Sequence, residues 1–140
     1  MLVRPRFSPD DKWIAFMLRR GSASRIFVAP YDGDVKRENQ WIAITDGSFE
    51  DHHPQWSPDG GLLYFFSDRD GNVCLWAQRL EPASKRPIGQ PVAVQHFHTA
   101  RQALKSVLLI QRGMTVTRDR IILGAGEVTG NIWMAEYGTK

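Results

Sequence analysis

The feature that most constrains the fold of this chain is an internal repeat. The motif Pro5-x-Phe7-Ser8-Pro9-Asp10 returns 49 residues later as Pro54-x-Trp56-Ser57-Pro58-Asp59. The same spacing aligns further residues without a gap, namely Arg20 with Arg69, Ile26 with Leu75 and Phe27 with Trp76. A third, shorter copy has Thr117-Arg118-Asp119 in place of Ser-Pro-Asp, and Gly130 to Trp133 in place of Gly71 to Trp76. Such a period indicates a repeat architecture whose units bury a shared core.

Each copy contains short runs of aromatic and β-branched residues bounded by turn residues, which predict strands. These runs are apolar on both faces, as expected of strands that lie between neighbouring sheets. We expect about eleven antiparallel strands in all. The predicted strands include Trp13 to Met17, Ile26 to Val28, Trp41 to Thr45, Leu62 to Phe66, Val73 to Ala77 and Pro91 to Gln95.

The segments between the strands have specific turn chemistry. In Ser57-Pro58-Asp59-Gly60 the proline fixes φ, the aspartate can accept from the following backbone, and the glycine accepts a positive φ. Asp11 stands where the first copy should have that glycine, a position that an aspartate tolerates at some cost. Asp68-x-Asp70-Gly71-Asn72 lacks the spacing of a calcium loop. We interpret it as a connection between two strands, with Gly71 at positive φ.

One segment, Thr99 to Gly113, breaks the strand pattern. Thr99 is a candidate cap for a short helix over Ala100, Ala103, Leu104 and Val107. The apolar run Val107 to Ile110 fits the first strand of the third copy equally well. The sequence leaves both alternatives open.

The repeat motif resembles that of β-propellers of the TolB type. Their repeat has a proline, an aromatic residue, Ser-Pro-Asp-Gly, an apolar strand ending in Phe, and a strand with Ile or Leu before an aromatic residue. Pro54 to Gly60 followed by Tyr64-Phe65 matches this pattern, and the first copy departs from it only at Asp11. The later part of the chain is similar to the C-terminal end of large bacterial proteins in which such propellers are often fused to kinase or winged-helix domains.

The resemblance implies an all-β partial β-propeller of about three blades, each a four-stranded antiparallel sheet. The blades span approximately 1–49, 50–98 and 99–140, and the third is incomplete. Because propellers have 4 to 8 blades, we expect completion by the remaining blades of a parent chain or by a homodimer that closes a six-bladed ring. The resemblance also implies a periplasmic or extracytoplasmic location.

Composition excludes several other classes of function. The 18 Lys and Arg against 15 Asp and Glu are scattered along the chain, so we predict no nucleic-acid partner. The single cysteine, Cys74, excludes internal disulfides and a zinc site based on cysteines. We expect no membrane segment, because no apolar run approaches ~18 residues. Kinase loops and a Gly-x-Ser-x-Gly elbow are absent, so we predict that this part of the protein is not an enzyme.

The four histidines are the only side chains whose pattern points to chemistry. His52 and His53 precede the first strand of the second copy, and His96 and His98 lie at the corresponding entry to the third. If the blades bring them to one rim of a central channel, they are candidate ligands for zinc or another divalent metal. Polar loop residues or hydrogen bonds between blades explain the same pattern without a metal.

We therefore expect a non-catalytic binding or sensor scaffold that contacts a protein or ligand and requires no cofactor. The alternative is a lyase or hydrolase with a histidine-bound metal at the propeller channel. A metal assay on the purified protein discriminates between these two hypotheses.

Overall fold

The described part of the chain folds into antiparallel β-sheets. The computed structural model describes residues 2–21, 23–34, 36–99, 102–103 and 113–124, which contain no α-helix and one 3-10 turn at Glu38–Gln40. The first sheet consists of β1 (Leu2–Phe7), β2 (Trp13–Arg20), β3 (Ala23–Pro30) and β4 (Ile42–Ala43). The second sheet consists of β5 (His52–Trp56), β6 (Leu62–Ser67), β7 (Cys74–Leu80) and β8 (Pro87–Gln95). Two short pairs follow, β9 (His98–Thr99) with β10 (Gln102–Ala103) and β11 (Met114–Val116) with β12 (Ile121–Leu123).

Each four-stranded sheet is a meander whose strand order follows the chain. Among the residues that the structure describes, the strand pairings are antiparallel, and one isolated bridge between Ser24 and Glu50 is parallel. This confirms the predicted all-β class and the predicted four-stranded antiparallel sheets. Their radial arrangement as three blades of a propeller stays a prediction.

The turns between the first two strands of each sheet have the same hydrogen bonds. Ser57 Oγ donates to Asp59 Oδ1 at 2.5 Å and accepts from the Leu62 amide at 2.8 Å, as Ser8 does with its own aspartate and with the amide of Trp13. Thr117 makes the equivalent contacts with Asp119 and the Arg120 amide, both at 3.1 Å.

The predicted positive-φ positions of these turns are also confirmed. Gly60 has φ 68°, Asp11 has φ 56° in its place, and Gly71 has φ 87° between β6 and β7. The chemistry of these turn residues therefore suffices to locate three chain reversals.

Successive residues of the strands face two different apolar layers, as the pattern predicted. Ala15, Ile26 and Val28 of the first sheet pack against Leu63 and Phe65 of the second. On the far side of the second sheet, a cluster that includes Phe66, Leu75 and Met114 brings in the β11–β12 pair. The far side of the first sheet carries its own cluster, formed by Phe16, Phe27 and Ala29 with Trp41 packed against them.

The chain passes from the first sheet to the second at Glu50 and Asp51, and residues of both sheets form hydrogen bonds with this segment. Ser24 Oγ of β3 donates to the Asp51 carbonyl at 2.7 Å, and Asp68 Oδ1 accepts from the Glu50 amide at 2.9 Å. The guanidinium of Arg69 pairs with the Asp51 carboxylate at 3.0 Å, and the Asp51 side chain is fully buried. This junction fixes where β5 begins relative to the first sheet.

One strand prediction needs correction, and the helix alternative at Thr99 is excluded. The run Trp41 to Thr45 forms only the two-residue β4, because Ile44 and Thr45 both turn back to bond the Ile26 carbonyl outside the strand ladder. Thr99 does not cap a helix, since it pairs with Gln102 in the β9–β10 ladder, which also takes in Ala103. The run Val107 to Ile110 and the echo at Gly130 to Trp133 lie outside the described residues.

Candidate functional site

The first strands of the two sheets share an unusual backbone feature. Arg4 and His53, which the repeat spacing aligns, have φ of 56° and 57°. Both lie at register shifts, between Val3 and Arg6 in β1 and between His52 and Gln55 in β5. Left-handed backbone is uncommon for residues other than glycine, and bulges of this kind redirect side chains and are frequent beside functional sites. The repeat therefore preserves a bulge at matching places in both sheets.

These bulges line one cleft, which we call the inner cleft. It has a volume of about 210 Å³ and lies where β1, β5 and β11 come together. Its walls include two arginines, a histidine, a methionine and two neutral polar residues, namely Arg4, Arg6, His53, Met114, Gln55 and Thr115. The inner cleft is consequently cationic, with no carboxylate in its lining among the residues described.

His52 and His53, two of the predicted metal ligands, lie together at the start of β5. Both are buried, and their Nδ1 atoms are 2.7 Å apart, so one ring donates a hydrogen bond to the other. Each ring also contacts Phe66, with ring centroids 5.6 Å and 5.9 Å away. These contacts are those of two packed imidazoles at the edge of the apolar layer.

His96 lies elsewhere, after the last strand of the second sheet. The ladder runs from His52 through Phe66 and Leu75 to Gln95, so His96 is at the same end of the sheet as the His52–His53 pair. Three strand spacings separate β5 from β8, roughly 14 Å. The side chain of His98 lies outside the described residues. The structure thus brings together His52 and His53 but not His96, and metal binding by the predicted histidines stays a prediction.

His96 instead faces Asp70 and Cys74. Its Nδ1 is 2.8 Å from Asp70 Oδ2, and the donor atoms of Asp70, Cys74 and His96 all lie within 4.8 Å of one another. The thiol is buried, whereas Asp70 and His96 reach the surface. We call this set the Asp–Cys–His cluster. Its members are chemically suited to hold a divalent metal.

The two acids of the cluster have shifted pKa values. Burial raises the pKa of the Cys74 thiol, the nearby Asp70 carboxylate raises it further, and the hydrogen bond from the Phe97 amide opposes both. For Asp70, burial alone would raise the pKa, but hydrogen bonds from the Asn72 amide and His96 lower it below its ordinary value. Asp70 therefore provides a negative charge beside a thiol that holds its proton.

The three residues of the cluster are visible in the sequence, but their spacing alone does not show that they lie together. The sequence predicts only a strand connection at Asp70, and the Gly71 amide confirms it by donating to the Asp68 carbonyl at 2.8 Å. Cys74 comes four residues later and His96 lies 26 residues beyond Asp70. Only the pairing of β7 with β8 brings these positions to one place.

No protein-family model matches the chain. An uncharacterized protein of Agrobacterium fabrum is 30% identical over 78 residues, which is 56% of this chain and 25% of that protein. The match thus spans a quarter of the relative's length. No helix among the described residues combines the length and apolar character needed to cross a bilayer.

Proposed function

We propose that this chain is a non-catalytic binding module, part of a TolB-like propeller in a larger bacterial protein, and that an acidic partner contacts the inner cleft. The observation that carries this proposal is the convergence of β1, β5 and β11 on one cationic cleft. The matching bulges at Arg4 and His53 support it, because the two repeat units would then present side chains from equivalent positions to one ligand.

The chemistry of the lining favours carboxylates. A guanidinium binds a carboxylate through two parallel hydrogen bonds, and such charge-assisted bonds are stronger than neutral ones. Arg6 is exposed at the mouth of the inner cleft, while Gln55 and Thr115 supply neutral donors and acceptors beside it. A glutamate- or aspartate-rich protein segment is therefore the partner class that fits this lining.

The test is binding of a fluorescent oligo-glutamate peptide, followed by anisotropy. We expect saturable binding that Arg6→Gln weakens about tenfold, the equivalent of one charge-assisted contact of about 1.4 kcal/mol. Arg79→Gln is the matched control, because Arg79 is also an exposed strand arginine but lies on β7 away from the inner cleft. If both variants weakened peptide binding equally, the loss would reflect only the lower net charge of the protein, and this would contradict the proposal.

A second part of the proposal concerns assembly. On the far side of the first sheet, Phe16 and Phe27 pack with Trp41, and a cleft of about 410 Å³ opens there between Leu18, Phe27, Trp41 and Ala43. An apolar sheet face favours burial against another layer. We propose that further blades cover this face, either those of the parent protein or those of a second copy in a six-bladed ring. Light scattering at micromolar concentration should show a dimer, and a stable monomer would contradict the ring of two copies.

A further inference from the structure

The sheet topology brings three metal-binding side chains to one end of the second sheet. Asp70 lies in the turn between β6 and β7, Cys74 begins β7 opposite Ser67, and His96 follows β8, whose last residue pairs with Leu75. In an antiparallel pair, the beginning of one strand lies beside the end of the next. The hydrogen-bonded ladders of β6, β7 and β8 therefore fix the positions of the three residues relative to one another.

The distances within the Asp–Cys–His cluster are close to those of a metal centre. With zinc bonds of about 2.0 to 2.3 Å in tetrahedral geometry, neighbouring ligand atoms lie about 3.3 to 3.6 Å apart. The donor atoms here are all within 4.8 Å, and the Asp70–His96 pair is at 2.8 Å. Asp70 and His96 reach the surface, so their side chains have room to rotate toward an ion bound beside the Cys74 sulfur.

Neighbouring backbone groups orient two of the three donors. The Asn72 amide donates to Asp70 Oδ1 at 3.3 Å, which leaves Oδ2 directed at the cluster. The Phe97 amide donates to the Cys74 sulfur at 3.4 Å, a contact that would stabilise a thiolate. Hydrogen bonds of this kind orient metal ligands and raise affinity.

We propose that Asp70, Cys74 and His96 form a zinc site. Imidazole nitrogen, thiolate sulfur and carboxylate oxygen are the three donor types that Zn²⁺ takes in proteins, and three protein ligands leave a fourth position for water. Cys74 releases its proton to solvent on binding, His96 coordinates as the neutral imidazole, and the thiolate and carboxylate together balance the two charges of the ion. This proposal is independent of the binding function proposed for the inner cleft. It departs from the expectation that a single cysteine excludes a cysteine-based zinc site, because the aspartate and the histidine supply the other two ligands.

Two probes test the site on the full chain. Co²⁺ substitutes for zinc and gives a thiolate-to-metal charge-transfer band in the near ultraviolet only when sulfur is a ligand. We expect this band in the wild type, its loss in Cys74→Ser, and its displacement by added Zn²⁺. Zinc affinity itself is measured by competition with a chromogenic chelator.

Surface variants keep the test valid if Cys74→Ser fails to fold. Asp70→Asn and His96→Gln should each weaken zinc binding about tenfold or more while leaving the thermal unfolding midpoint of the metal-free protein nearly unchanged. Asp119→Asn is the matched control, because its carboxylate is exposed and outside the cluster. Absence of the band, zinc binding by Asp70→Asn and His96→Gln equal to that of the control, or loss of binding only in His53→Gln would overturn the proposal.

Discussion

Removing one partner of the ion pair between Arg69 and Asp51 should be among the most destabilising single changes to this fold. The Asp51 side chain is fully buried and that of Arg69 is 14% exposed. The guanidinium also lies over three aromatic rings, 5.5 Å from Phe49, 5.1 Å from Phe65 and 5.0 Å from Trp76. Replacing Arg69 by methionine retains apolar contact with these rings but leaves a buried carboxylate without its cation.

We expect Arg69→Met to lower the free energy of unfolding by roughly 3 to 5 kcal/mol, the cost of removing one partner of a buried pair. Urea denaturation measures it, and with a slope of about 2 kcal/mol per molar the midpoint should fall by about 2 M at unchanged slope. Arg79→Met, an exposed arginine of the same sheet, is the control and should change stability by less than about 0.5 kcal/mol.

A double variant separates the ion pair from simple packing. Arg69→Met leaves the buried Asp51 carboxylate without a cation, and Asp51→Asn removes that charge. The double variant should therefore be less destabilised than the sum of the two single variants, by at least about 1 kcal/mol. Strict additivity, or a loss below about 1 kcal/mol in Arg69→Met alone, would refute the reasoning.

Three other predictions follow from buried and turn positions. Phe65→Ala, at a fully buried site between the sheets, should cost about 3 to 5 kcal/mol in urea denaturation, against less than about 0.5 kcal/mol for the exposed Val92→Ala; similar losses would contradict the described core. Gly60→Ala should cost about 1 to 2 kcal/mol because φ is +68°, whereas Gly61→Ala, which meets only ordinary contacts, should cost clearly less. A hydrogen bond from the serine hydroxyl two residues earlier lowers the pKa of Asp59. The stability this provides is complete above the ordinary aspartate pKa of about 3.9 and disappears as pH falls through the lowered folded value. Melting temperatures measured on acidification should therefore fall less steeply in Asp59→Asn, and identical slopes would contradict this origin.

Local chemistry made the regular parts of the fold predictable. The turn at Ser57 to Gly60, the positive φ of Asp11 and the strands with two apolar faces all depend on residues adjacent in sequence, and the structure confirms them. The length of β4 was not predictable in this way. Ile44 and Thr45 are good strand residues, yet tertiary bonds to the Ile26 carbonyl end the strand before them.

The candidate sites depend on pairing between distant segments, and so the sequence located them only in part. The sequence predicted that all four histidines lie at one rim, because both pairs precede a copy of the repeat. That position does not specify which strand of the sheet carries each imidazole. His96 follows the edge strand and meets Asp70, while His53 lies in a bulge of the first strand. Each bulge contains a proline, Pro5 or Pro54, and because proline within a sheet is confined to edges, strand starts and bulges, the repeat motif itself carried a local signal for them.

The junction at Asp51 also has a consequence for the order of the repeat units. By the repeat spacing, Arg69 corresponds to Arg20, but Asp51 corresponds to Leu2, so the first unit carries the arginine without the carboxylate. A chimera with the first unit copied into the second position would bring a guanidinium to the junction with no acid to receive it. The two repeat units are therefore not interchangeable. An engineered duplication of the second unit must transfer residues 50 to 69 together, so that the arginine keeps its carboxylate.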